Sequence, residues 1–260
     1  MRDDDSTSQH SAPRHRTARA IADEPSLTIA EHLEELRRRL GISLAAWLVA
    51  VAMSWTQVER IIGWLRRPVE PMVSRFAFFS PTEPLLAYLK IAALAGSILA
   101  MPVLLWQLWG FVRRGLTPKE RSAGLGFVWW GSSLFLGGIA FAYYGLLPVS
   151  LRFLMGFGSG YLTPMVSIDQ YLSFVASLTF WCGIVFELPV VLFLLASIGV
   201  VTSEWLRQQR AYAILVMFIV AAVITPTTDP INLFLMAIPL VVLYELSIMV
   251  TRIAMRRAPR

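Results

Sequence analysis

Few ionisable side chains in this chain are placed where they could do chemistry, and each is in an awkward position. Glu187 stands in "FWCGIVFELPVVLF", an otherwise apolar run. A charged group near the middle of a membrane helix costs on the order of 2.5–3.5 kcal/mol. Glu187 must therefore face a cavity or a partner, or be protonated and bonded to a neighbouring helix or to the Val185 carbonyl that Pro189 frees. "EHLEELRRRLG", residues 31–41, crowds Glu31, Glu34 and Glu35 with Arg37, Arg38 and Arg39 at the mouth of "ISLAAWLVAVAMSW". "LTPKER", residues 116–121, sets Glu120 just ahead of another apolar run. Anionic lipid repels acids at a membrane edge and attracts bases, so a basic peptide is the kind of ligand that would call for them.

Each of these groups also has a purely structural reading. Thr28 and Glu31 fit a capping box, and Glu34/Arg38 and Glu35/Arg39 have the i, i+4 order that supports a helix. Thr117 as N-cap, Pro118 at N1 and Glu120 at N3 form a helix start. Glu245 lies near the end of the last apolar run and can snorkel, and Asp229 in "TPTTDP" can serve as an N-cap.

Other chemistries find no residues. His10, His15 and His32 all precede the first apolar run, and there is no H-E-x-x-H, G-x-S-x-G or Walker A pattern. The reading is of a non-enzyme with no metal, no cofactor and no nucleic-acid partner. Cys182 is the single cysteine and lies in an apolar run, which makes it a small core residue.

The elements that must position these groups are membrane helices. The chain has 260 residues and is 56% hydrophobic, with a mean hydropathy of +0.61, well above the roughly 45–50% apolar usage of soluble domains. Apolar runs near 41–57, 85–108, 124–146, 171–199, 211–225 and 231–250 are continuous and not alternating, which predicts six transmembrane helices and no barrel. Ile29, Leu33, Leu36 and Leu40 extend the first run backwards as an amphipathic helix. The last two runs are short: Ala211–Thr225 is about 22 Å long at 1.5 Å per residue, and Ile231–Tyr244 is similar, against a hydrocarbon core of about 30 Å. Pro102, Pro189 and Pro239 each fall inside a run and free the carbonyls of Ile98, Val185 and Leu235.

With Lys90 set aside at a helix start, the other Lys and Arg fall 17 on one side and 5 on the other, which puts both termini in the cytoplasm. Residues 1–26 are polar, lack the apolar core of a cleavable signal and read as a disordered cytoplasmic tail. Residues 27–252 then form one membrane domain, and 253–260 a basic cytoplasmic tail. No internal repeat is visible, which counts against a proton-coupled solute transporter built around Glu187, the main alternative function.

Ten stretches in order resemble the TatC family, the multi-spanning subunit of the twin-arginine protein translocase. They are "HLEELRRRL", "RRPVEP", "PTEPLLAYLKIA", "MPVLLWQLWGFV", "LTPKER", "GIAFAYY", "YLSFV", "FELPVV", "TPTTDP" and "AIPLVVLYE". The resemblance implies an all-α fold of six helices in a curved, concave bundle in the bacterial cytoplasmic membrane. It also implies binding of twin-arginine signal peptides at Glu35, Glu120 and Phe111, and assembly with single-span TatA and TatB partners and with further copies of the chain. Export of folded proteins would be driven by the proton-motive force. By the same resemblance, Glu187, Pro189 and Glu245 belong to the intramembrane polar and partner-docking region. Pro68 and Tyr143 belong to the outer loop and third span, and Asp229 lies outside. One departure is Arg114 in "FVRRGL", where the family usually carries proline.

Overall fold

The computed structural model describes residues 29–70, 73, 76–113, 124–156, 165–225 and 230–257. The chain divides into two compact units between Arg38 and Arg39. Of the first unit the described part is the opening of helix α1 (Ile29–Trp55). There Glu34 bonds Arg37, three residues on, at 2.9 Å, with both side chains mostly in solvent; the spacing predicts Arg38 as its partner. On a helix surface i+3 and i+4 are both neighbours, and the long arginine stem decides between them at little cost. The expected Thr28 cap lies outside the described residues.

In the second unit α1 runs on to Trp55 and turns into α2 (Val58–Arg66) at an angle of 73°. There follow α3 (Glu83–Val112), α4 (Gly124–Phe141), a π-helical turn Ala142–Leu146, and α5 (Leu147–Gly156). The rest is α6 (Ile168–Phe186), α7 (Leu188–Ser197), α8 (Ser203–Gln208), α9 (Arg210–Ile224) and α10 (Pro230–Arg257). Among the described residues the one isolated β pairing is Ala77 with Ser167.

Four stretches are long and apolar enough to cross a membrane: Glu83–Val112, Gly124–Gly156, Ile168–Ser197 and Asn232–Arg252, with the bent α1–α2 pair as a fifth. Helix α9, at 15 residues, is as short as its sequence suggests. The last helix is not short. It runs through Glu245 to Arg257, because a carboxylate at a helix surface does not end a helix, and this one is neutralised by Arg210 at 2.6 Å.

The segment 58–66, expected as outer loop, is a helix because Val58, Ile62 and Leu65 recur at i, i+4 and i+7 and are all buried. Pro102 and Pro239 lie within α3 and α10 without ending them, whereas Pro189 sits in the first turn of α7, where its missing N–H costs least. Gly199, at φ +78°, closes α7 in the left-handed conformation that glycine tolerates.

Packing is tightest between α4 and α6. A Cβ on Gly138 would sit 2.8 Å from the Cys182 carbonyl oxygen and 2.9 Å from Gly183 Cα. The helix backbones are therefore in direct contact, as small residues allow between membrane helices. Cys182 is fully buried there, as a core residue should be.

Substitution Gly138→Ala is expected to lower the thermal midpoint of the purified protein, at a cost of about 1–3 kcal/mol, because the obstructing atoms are backbone and cannot swing away. Gly137→Ala, whose new methyl group would have nothing within 4 Å, should leave the midpoint at or above that of the parent. Equal behaviour of the two would contradict the close contact.

Candidate functional site

Glu187 is the hinge between two helices. It ends α6, its N–H bonding the Ile184 carbonyl at 3.0 Å, and it opens α7, its own carbonyl accepting the N–H of Val190 and of Val191, each at 2.9 Å. Pro189 favours the break, since it lacks the N–H that would continue α6 and its ring fits the first turn of α7. The Glu187 side chain is 6% exposed. It points against α4, where a Cβ on Gly131 would lie 3.2 Å from Glu187 Oε2 and 2.6 Å from Leu105 Cδ1 on α3. Around it Leu105, Trp109, Phe127, Val190 and Leu194 form a separate apolar cluster.

Neither carboxyl oxygen of Glu187 has a hydrogen-bond partner among the described residues. The Val185 carbonyl does not take it, contrary to one of the two readings of the sequence. Most other polar side chains in the helices behave differently. The hydroxyls of Ser97, Thr179, Ser197, Thr225 and Ser247 each donate to a carbonyl one turn back in the same helix, at 2.6–3.0 Å. Ser150 donates to Asn232 Oδ1 at 2.7 Å.

At the far end of α1 a second group forms. Tyr143 donates its hydroxyl to the Trp64 carbonyl and Tyr171 donates to the Leu65 carbonyl, both at 2.7 Å. The Trp64 and Tyr143 rings stack at 4.0 Å. These two tyrosines cap the end of α2: Tyr171 closes the Leu65 carbonyl, and Tyr143 adds a second donor to the Trp64 carbonyl, which also takes the Arg67 N–H at 3.3 Å; Pro68 lies half-buried in the turn that follows. Tyr143 sits in the π-helical turn, which rotates it towards α2. Tyr143 and the turn that holds Pro68 thus lie at the same end of α2. Nearby, Lys90 holds Asp169 at 2.7 Å and Ser173 at 2.8 Å, tying α3 to α6.

Of the residues expected to bind a basic ligand, Glu35 belongs to the first unit and is half-buried. Phe111 lies in the last turn of α3, also half-buried. Glu120 and Asp229 lie outside the described residues. Glu245 bonds Arg210 at the start of α9. Sequence reasoning misses Arg39, whose guanidinium reaches Gln107 Oε1 at 3.3 Å and packs on Gly110, next to Phe111 in the chain. The i, i+4 pattern assigns it to Glu35, and nothing in the spacing points to Gln107. Also missed is Trp109, whose indole covers Gly124 and stacks near Phe127 at 5.0 Å, joining the end of α3 to the start of α4.

A family profile described as "Sec-independent protein translocase protein (TatC)" matches residues 31–239. The chain belongs to the TatC family. Its TatC relatives include one from Carboxydothermus hydrogenoformans, 40% identical over 232 residues, covering 89% of this chain and 95% of the relative. Another, from Aquifex aeolicus, is 39% identical over 236 residues, covering 89% and 97%. The chloroplastic TATC of Arabidopsis thaliana is 37% identical over 225 residues, covering 86% of this chain and 66% of that one. A crystal structure described as the "Twin Arginine Translocase Receptor- TatC" superposes with a TM-score of 0.77 at 40% identity, covering 86% of this chain and all of the other. TatC proteins are multi-spanning components of a protein translocase and are not enzymes.

Because the Glu187 carboxyl is buried without a partner among the described residues, replacing it by a side chain of similar size with no polar atom should stabilise the resting protein. Glu187→Leu is expected to raise the thermal midpoint in detergent, through a gain in stability on the order of 1–3 kcal/mol. A lowered midpoint would mean that the carboxyl makes a stabilising bond in the resting state.

Proposed function

We propose that this chain is the signal-peptide receptor and core subunit of a bacterial twin-arginine translocase. The observation that carries this reading is the likeness to the solved twin-arginine translocase receptor over nearly the whole chain. The chain crosses the cytoplasmic membrane six times, with α1, α3, α4–α5, α6–α7, α9 and α10 as the spans and both termini in the cytoplasm. The 17-to-5 division of basic residues supports that orientation.

Glu35 and Glu120 accept the paired arginines of an incoming signal peptide, beside Phe111. Each carboxylate can take an arginine fork in two parallel hydrogen bonds, which lysine cannot reproduce. Exposed ion pairs contribute only about 0–1 kcal/mol each, so the apolar part of the signal supplies most of the affinity.

Glu187 and Pro189 act later, when TatA and TatB helices assemble against the bundle, and Glu245 helps to shape the docking region through Arg210. A buried carboxyl without a partner among the described residues suits a group that gains one on assembly. Pro68 and Tyr143 hold the outer cap, with Asp229 on the same side, and further copies of the chain associate in the working translocase. The driving force is the proton-motive force.

The test is photocrosslinking in membranes from a probe placed beside Glu35 or Glu120 to a signal peptide carrying Arg-Arg, Lys-Lys or Ala-Ala. Crosslinks are expected with Arg-Arg and should fall at least several-fold with Lys-Lys, with Ala-Ala, or after Glu35→Ala or Glu120→Ala. Equal crosslinking by all three peptides would refute the assignment of the two acids.

A further inference from the structure

At the bend between α1 and α2 lies a cleft of about 760 Å³, open to the side and closed at the back by α3. That volume is in the range of ligand sites, roughly 300–1,000 Å³. Its walls are apolar, with Met53 from α1 and Ala95, Ile98 and Leu99 from α3. The helices on either side are pinned just beyond it, where Val51 presses on Gly96 and Trp47 donates to Ser97 Oγ at 2.9 Å. The cleft is thus held open between fixed walls.

Its polar groups are few and gathered at one end. Arg60 and Gln57 stand at the rim, Arg60 donating to Gln57 Oε1 at 2.9 Å. Ser54 also lines the cleft; it is 3% exposed, and its hydroxyl has no hydrogen-bond partner among the described residues. From Arg39 to Thr56 the helix rises about 25 Å at 1.5 Å per residue, close to the thickness of a hydrocarbon core of about 30 Å. The rim is therefore at headgroup level. Trp55 and Trp64, 41% and 38% exposed, flank it, as aromatic residues do at a membrane interface.

We propose that this cleft is a binding site for one phospholipid of the leaflet at that end of α1. The phosphodiester sits on Arg60, whose guanidinium is matched to phosphate oxygens, and Gln57 orients the guanidinium. The Ser54 hydroxyl donates to an ester oxygen, and one acyl chain lies along Met53, Ala95, Ile98 and Leu99. A bound lipid would fill the angle between α1 and α2 and brace the cap that the Tyr143 and Tyr171 hydroxyls complete. The site is independent of the signal-peptide reading, so either can fail alone.

The full-length protein in bilayer nanodiscs of phosphatidylethanolamine and phosphatidylglycerol, doped with a phosphatidylglycerol carrying a photoreactive acyl chain, provides the test. Labelled residues are mapped by peptide mass spectrometry. Labelling should concentrate at Met53, Ile98 and Leu99 over the lipid-exposed control Val223 of α9. It should drop several-fold there in Arg60→Gln and in Ala95→Phe, with the control site unchanged, which also shows that the variants are folded. Cleft labelling no higher than at Val223, or indifferent to both substitutions, would overturn the proposal.

Discussion

The structure depends on one constraint: where a helix end or break is buried in protein or bilayer, no water is available to satisfy its backbone carbonyls and N–H groups, so the protein itself must close them. At the end of α2 the Tyr171 hydroxyl closes the Leu65 carbonyl, and the Tyr143 hydroxyl joins the Arg67 N–H on the Trp64 carbonyl. Tyr244 does the same for the Leu206 carbonyl in the short helix α8. At the α6–α7 break the Glu187 carbonyl serves two N–H groups at once. Tyrosine suits the first two tasks because its ring supplies buried apolar area while its hydroxyl reaches a carbonyl on another element. Long-range hydrogen bonds in this bundle therefore gather where helices stop.

The Glu187 side chain departs from this rule. Several hydroxyls within the helices return to their own backbone, whereas both Glu187 carboxyl oxygens, like the Ser54, Ser132 and Thr251 hydroxyls, have no partner among the described residues. Selection for stability alone would place leucine there, beside Leu105 and Val190. The residue instead sits at a break that Pro189 favours, with a glycine on α4 opposite it. Any larger side chain at Gly131 would meet both Leu105 and the carboxyl, so the space left to Glu187 is shaped from three helices. A group kept at a cost in stability, in a space built around it, fits a role that begins when a second protein or a proton arrives.

Much of this is legible in the sequence. Continuous apolar runs locate every long helix, because hydrophobicity over about 20 residues is a strong signal. Glu187 is conspicuous for the same reason: one acid interrupts an apolar run. The cap is not legible, although Val58, Ile62 and Leu65 stand in plain helical spacing; a nine-residue helix is too short to separate from an outer loop by pattern alone. Nor is the bond from Arg39 to Gln107 visible, since the two residues lie 68 positions apart and Glu35 is a nearer candidate. The final helix reads as too short because Glu245 resembles a boundary. Its charge is balanced by Arg210 from the neighbouring helix, and only the tertiary structure supplies that partner. Local pattern thus locates the helices but is blind to ion pairs between them.

That same ion pair bears on helix α9. As one of the six proposed spans, its 15 residues would fall short of a hydrocarbon core by several ångströms, and its outward side chains Tyr212, Leu215, Ile219 and Val223 are strongly exposed. A short helix can be accommodated by thinning the bilayer, by snorkelling flanks or by packing against protein. Arg210 is the flank able to snorkel, but its bond to Glu245 ties it to α10 and so fixes the level of the helix start relative to its neighbour. The mismatch is then pushed to the other end of α9, where Val223 is 80% exposed. Either the bilayer yields there or another apolar helix covers the face, and both would lower the barrier to rearranging the membrane beside this edge of the bundle. Were the proposed single-span partners to dock on this edge, they would relieve a mismatch that lipid can only accommodate.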